Sequence, residues 1–151
     1  GYDSKLHRAV CKAMQAAGMQ LQNYGTVLAT IADEDKEEAL PLIRRFYDMG
    51  FNIEATAGTA RFLKEHGIRT RVRGKISEGS DEILESIRAG YVAYVINTRS
   101  ILHVSHTHDG IAIRSCAVEN GVTVFTSLDT VRIVLDVLDE ITNRISTIDA
   151  E

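Results

Sequence analysis

FNIEATAGTARFLKEHG, Phe51 to Gly67, decides the fold. FNIEAT is an apolar, extended-type run and reads as a strand. GTARFLKEHG reads as a helix and closes on Gly67, a residue type that ends helices. The same strand-then-helix pattern recurs on both sides. TVLATIA, residues 26–32, is a short apolar strand, and DEDKEEALPLIRRFYDMG follows as a helix with acids crowding its first turn. Pro41 interrupts the hydrogen-bond ladder of that helix and predicts a kink. Downstream, IRTRVR is a more polar strand and so an edge one. DEILESIRAG is a helix, and YVAYVINT is the most apolar strand and so the expected centre. GIAIRSCAVENG is a helix, VTVFTS a fifth strand, and LDTVRIVLDVLDEITNRI a long final helix. GKISEGS reads as a loop, and RSILHVSHTHD as a loop with some ordered part. Five strands alternating with helices predict an α/β three-layer sandwich, with a mostly parallel five-stranded sheet covered on both faces. Residues 1–24, with LHRAVCKAMQAAG, are expected to be a linker helix from a preceding domain, and residues 25–151 the domain itself.

The chain has 151 residues, enough for one domain with a sizeable core. It is 44% apolar and 25% charged, the balance of a water-soluble globular protein. No apolar run approaches the roughly 20 residues that span a bilayer. The start, GYDSKLHRAV, lacks the apolar stretch of a secretory signal, and its opening glycine fits a piece of a longer chain. Two cysteines, Cys11 and Cys116, make no disulfide framework, so a reducing cytoplasmic setting is expected. The net charge of −4 gives no global field for nucleic acid. An anionic ligand therefore needs a local cluster of cations and backbone amides.

In open α/β sheets, ligands bind at the carboxyl ends of the strands. Those ends carry Lys36; then Thr56, Gly58 and Thr59; then Lys75; then Asn97, Thr98, Arg99 and Ser100; then Thr126, Ser127 and Thr130. Hydroxyls and helix-start amides donate hydrogen bonds to phosphate, ammonium groups neutralise it, and Gly58 lets the backbone come close. Each residue alone also has a plain reading: Thr59 as a helix cap, Lys36 as a solvated lysine. Their convergence is what points to an anion site. No GxGxxG follows the first strand and no Walker loop occurs, which speaks against dinucleotide and P-loop chemistry.

HVSHTHD brings together His103, His106, His108 and Asp109. Solvated loop histidines, a zinc site, and His106 with Asp109 as an acid–base pair are the three readings. Cys116 falls on an apolar helix face and reads as a buried structural thiol. Val131, Val134, Leu135, Leu138 and Ile141 form a stripe expected in the core.

VLATIADEDKEEALPLIRRFYDMGFNIEATAGTARFLKEHGI, KISEGSDEILESIRAGYVAYVINT and DGIAIRSCAVENGV resemble the C-terminal domain of the carbamoyl-phosphate synthase large subunit. The likeness covers essentially the whole chain. It implies a Rossmann-like, methylglyoxal-synthase-like fold. It implies a regulatory domain that binds a nucleotide monophosphate, uridylate (UMP) or inosinate (IMP), with ornithine at the boundary to the preceding domain. Lys36, Thr56, Gly58, Thr59 and Lys75 then match the phosphate-binding positions, and Asn97, Thr98 and Arg99 the ribose and base positions. Arg99 stands where the family has a hydroxyl, a departure that bears on which effector binds. The resemblance implies no cofactor or metal in this domain and no catalytic residue. The parent ligase would use ATP with Mg or Mn for pyrimidine and arginine biosynthesis. Its partners would be the other domains of the large chain and the glutamine amidotransferase small subunit, with a homo-oligomer formed through the parent and no nucleic acid or membrane.

The same fold makes methylglyoxal synthase, which eliminates phosphate from dihydroxyacetone phosphate and is the alternative reading. Its GGDQQ loop here reads EGSDE, with Ser80 at the aspartate position and Asp81 one step off. A second acid of the enzyme falls at Arg99, whereas His106 and Asp109 match its H-x-x-D. Without the positioned carboxylate, abstraction of a proton beside a carbonyl loses its base, so the resemblance implies binding without catalysis. The longer motifs of inosinate cyclohydrolase, which shares the fold, are not apparent.

Overall fold

The computed structural model describes residues 21–98 and 107–150. The linker helix expected over residues 1–24 lies almost wholly outside them, as do Cys11, Arg99, Ser100, His103 and His106. Five strands form one sheet: β1 (Thr26–Thr30), β2 (Asn52–Thr56), β3 (Thr70–Arg73), β4 (Val92–Asn97) and β5 (Thr123–Phe125). Their order is β3-β2-β1-β4-β5 and every pairing is parallel. The helices are α1 (Lys36–Asp48), α2 (Ala57–Glu65), α3 (Glu82–Arg88), α4 (Thr107–Glu119) and α5 (Leu128–Ala150). Short 3₁₀ turns at Asp33–Asp35 and Ile76–Glu78 precede α1 and α3.

Side chains alternate across a strand, so each strand feeds two cores. Val27, Ala29, Ile53, Ala55 and Ile96 face one side, where Leu42, Ile43 and Phe46 of α1, Leu63 of α2 and Val131, Val134 and Leu138 of α5 cover them. Tyr94 lies in the middle of this layer, its ring 5.7 Å from those of Phe46 and Phe125. Leu28, Val92 and Val95 supply the second core, under Ile83 and Ile87 of α3 and Ile113, Cys116 and Ala117 of α4. Cys116 is buried, as its apolar helix face predicts. Arg45 of α1 ties to Asp136 and Asp139 of α5 at 2.8 and 2.6 Å.

The second face has a polar corner. Glu54, 4% exposed, accepts from Arg73 Nε at 2.7 Å and from the Ser86 hydroxyl at 3.0 Å. Tyr91 donates to Ser86 and accepts from Arg73 Nη2, which closes a ring of four side chains. A buried carboxylate is tolerated there because its oxygen is fully engaged.

Three expectations are corrected. β1, not β4, is the middle strand, with β4 beside it. Thr107–Asp109 form the first turn of α4 and not a loop. GKISEGS contains the 3₁₀ turn at Ile76–Glu78. The polar strand β3 is an edge, as its composition predicts, and α1 runs on through Pro41.

Candidate functional site

The chain winds outward from β1 to β2 and β3, with α1 and α2 on one face. It then crosses to β4 and β5, with α3 and α4 on the other. The loops after β1 and β4 therefore part in opposite directions. A crevice must open at the carboxyl ends of those two strands, the switch point where α/β sheets take ligands. The structure has a cavity of ≈ 370 Å³ there. Thr30, Ile31 and Ala32 form its back, Asn97 and Thr98 one wall, and Thr56, Gly58 and Thr59 the other. Lys36, Lys75, Asp33, Asp109 and Arg114 bring charge, and Ile83 and Ile113 an apolar floor.

The rim is held by hydrogen bonds across the strand ends. Thr98 N–H donates to Thr30 O at 3.1 Å, and the Thr98 hydroxyl accepts from Ala32 N–H at 2.8 Å. The Thr30 hydroxyl donates to Asn97 Oδ1 at 2.8 Å. On the other side Ile31 N–H donates to the Thr59 hydroxyl at 3.2 Å. The end of β1 is thus clamped between β4 and α2.

Thr56 and Thr59 differ. Thr59 is 2% exposed, and its hydroxyl accepts from Ile31 N–H at 3.2 Å and donates to Ile31 O at 3.5 Å. Thr56 is the N-cap residue of α2, extended at φ −67° and ψ 160°, but its side chain makes no capping bond. The first amides of a helix have no partner within it and carry partial positive charge. In α2 they open beside this cavity, since Gly58 and Thr59 of the first turn both line it.

Lys36 pairs with Asp33, and its side chain is 16% exposed where that of Asp33 is 82% exposed. Its ammonium lies over the start of α2, 3.5 Å from where a Cβ on residue 58 would stand. Lys75 leads into the second 3₁₀ turn, and Ser77 N–H in that turn donates to Asp109 Oδ2 at 3.1 Å. The loop bearing Lys75 is therefore tied to the first turn of α4. The lining holds three cations against two carboxylates, a balance that favours an anion.

Seven of the eight sequence-predicted residues, Lys36, Thr56, Gly58, Thr59, Lys75, Asn97 and Thr98, line this one cavity. Arg99 lies outside the described residues. Thr126 and Ser127 line a separate hollow with Asp35, Glu38 and Asp129, reached past Thr98. The hydroxyl of Ser80 accepts from Glu82 N–H and belongs to the start of α3, away from the cavity lining. His108 is exposed. Among the described residues no cluster of three or more His, Cys, Asp or Glu side chains could hold a metal. Arg114 lines the cavity without having been expected to. Its signal was the spacing of Asp109, Gly110, Ile113 and Arg114, which share one helical face once α4 is started at Thr107.

A five-stranded parallel sheet with helices on both faces and a crevice at its switch point defines a Rossmann-like α/β three-layer domain. The model of the MGS-like domain family matches residues 38–126, and the chain belongs to that family. The fold is also similar to that of the solved structure titled "Crystal structure of ForH", at a TM-score of 0.58 and 17% identity. That likeness covers 77% of this chain and 80% of the other, and it bears on the fold alone.

Proposed function

We infer that this domain binds a nucleotide monophosphate as a regulatory effector of a carbamoyl-phosphate synthase large chain. The observation that carries the reading is the open start of α2, with Lys36 folded over Gly58 and Lys75 lining the same cavity. A phosphate there would accept from the first-turn amides and the Thr56 hydroxyl, and its charge would be met by both lysines. Asn97, Thr98 and Arg99 would take ribose and base. Such a ligand regulates only by binding more tightly in one state of the parent enzyme than in the other. The other large-chain domains and the amidotransferase subunit would receive that signal, in the cytoplasm. Ornithine would act at the boundary with the preceding domain.

Calorimetry with uridylate and inosinate tests the reading. Binding in the micromolar-to-millimolar range is expected, weakened by Lys75→Ala roughly 10- to 100-fold, the worth of one hydrogen bond to a charged group. Absence of binding by any phosphorylated ligand, in the chain and in the full-length enzyme, would overturn it.

One observation favours a second reading, a lyase of the methylglyoxal-synthase type. Asp109 places a carboxylate in the cavity lining. Release of inorganic phosphate from dihydroxyacetone phosphate, abolished by Asp109→Asn, would establish that reading in place of the first.

A further inference from the structure

Asn97 is a buried side chain with half of its hydrogen-bonding capacity unused. It is 6% exposed, and its Oδ1 is occupied by the Thr30 hydroxyl. Its Nδ2 is buried without a hydrogen-bond partner. An unsatisfied buried donor is costly and calls for an explanation. Here the explanation is geometric, because Asn97 lines the cavity.

A second donor stands beside it. A Cβ on residue 110 would lie 3.2 Å from Asn97 Nδ2 and 2.9 Å from Arg114 Nη1. The guanidinium of Arg114 therefore folds back over Gly110, one helical turn earlier, and meets the Asn97 amide across the space a side chain would fill. Gly110 does not have a positive φ, so alanine is compatible with its backbone. Glycine at this place keeps room for the arginine.

Both residues line the cavity, and what they bring together beside Gly110 is donors only: an amide N–H₂ and a guanidinium. They also stand away from the phosphate cradle. Thr56 ends β2 and Asn97 ends β4, on either side of β1, and two inter-strand steps are about 10 Å. We propose that Asn97 and Arg114 form a second pole of the site, which reads an acceptor-only group, a carbonyl or carboxylate oxygen, at the far end of a phosphorylated ligand. The inference rests on the phosphate reading above and adds what the other end of the ligand must carry. Arg114 then sets specificity while the α2 start and the lysines set the phosphate requirement.

The test compares two ligands of the same chain by calorimetry: ribose 5-phosphate, and uridylate, which adds a base with carbonyl oxygens to that sugar phosphate. Wild type is expected to bind uridylate at least tenfold more tightly. Arg114→Gln and Gly110→Ala should each remove most of that preference and leave ribose 5-phosphate within about twofold. Gly110→Ala displaces the arginine tip without deleting it, so it serves if Arg114→Gln folds poorly. Equal weakening of both ligands would put Arg114 in the phosphate pole and overturn the proposal. So would an unchanged preference in Gly110→Ala and Arg114→Gln, or no preference in wild type. If wild type binds neither ligand, the phosphate reading itself has failed and this inference falls with it.

Discussion

Replacing Thr59 by valine exchanges a hydroxyl for a methyl group of nearly the same size, inside a position that is 2% exposed. The hydroxyl is the acceptor for Ile31 N–H at the end of β1. Valine leaves that amide buried without a partner, which costs about 1–3 kcal/mol. For a domain of this size each kcal/mol lowers Tm by about 2–4 °C, so a fall of about 2–12 °C is expected. Thr56→Val is the matched control. Thr56 is also buried, 8% exposed, but its hydroxyl makes no capping bond, so valine should cost less than about 1 kcal/mol. Binding should respond the other way round. If a phosphate is held as proposed, Thr56→Val removes a donor to it, about 1.5–3 kcal/mol, or roughly 10- to 100-fold in Kd. Thr59→Val should change Kd less than about threefold, because its hydroxyl is already committed to the backbone. Urea and thermal melts with calorimetry against uridylate read both axes. A Thr59→Val chain that melts like wild type, or a Thr56→Val chain that melts early and binds normally, would refute this division of labour.

Tyr94 gives an alkaline prediction. Burial pushes its phenol up to about 12, while its O–H donates to Gln22 O at 2.6 Å. The unfolded phenol titrates near 10, so the folded state holds the proton more tightly. Burying the phenolate is what is penalised, so relative stability is level below pH 10 and falls, by about 3 kcal/mol in all, as pH rises through about 12. Urea midpoints from pH 8 to 11.5 should therefore fall, and Tyr94→Phe should flatten the fall while costing about 1 kcal/mol at pH 8. In the polar corner, Ser86→Ala leaves Glu54 one donor short and Tyr91 without its acceptor, a cost of about 1–3 kcal/mol in urea melts. Combined with Glu54→Gln it should be non-additive by at least about 0.5 kcal/mol, since both belong to one ring; additivity would mean the ring is not a unit.

The layer order was legible because four of the five strands are short apolar runs, the fifth is polar as an edge strand can be, and each helix ends on glycine or turns polar. The strand ends could be listed without knowing the strand order, and seven expected site residues meet in one cavity because parallel strands put all their carboxyl ends on one edge. What sequence could not supply was the order itself. β4 is the more apolar strand, yet β1 is central, because both are interior strands and apolarity does not rank them. Order also decides which hydroxyls reach the crevice. Thr126 and Ser127 end the outermost strand and open on another hollow. Arg114 was hidden by a helix boundary. With α4 started at Gly110, nothing marked Arg114 as facing the same space as Asp109. Nor does sequence tell that the Thr59 hydroxyl faces inward to Ile31 while the Thr56 hydroxyl is spared.

Asp109 shows how one side chain can serve binding without chemistry. Its Oδ2 accepts from Ser77 N–H, in the turn that follows Lys75. The carboxylate therefore fixes the loop that carries Lys75, which lines the cavity, and it does so through an acceptor oxygen that asparagine also has. In a binding domain, Asp109→Asn should leave uridylate affinity within about threefold, because the Ser77 bond survives. In a lyase the same change removes the base and abolishes turnover while the substrate still binds. Asp109→Ala separates the two roles further. It frees the Lys75 loop, so a binding domain should lose phosphate affinity with alanine and keep it with asparagine. Equal loss in both variants would mean that the charge, and not the hydrogen bond to Ser77, is what the site requires of Asp109. The position of Ser80 fits the first outcome. That position holds a hydroxyl and not a carboxylate, it accepts from Glu82 N–H at the start of α3, and it is absent from the cavity lining.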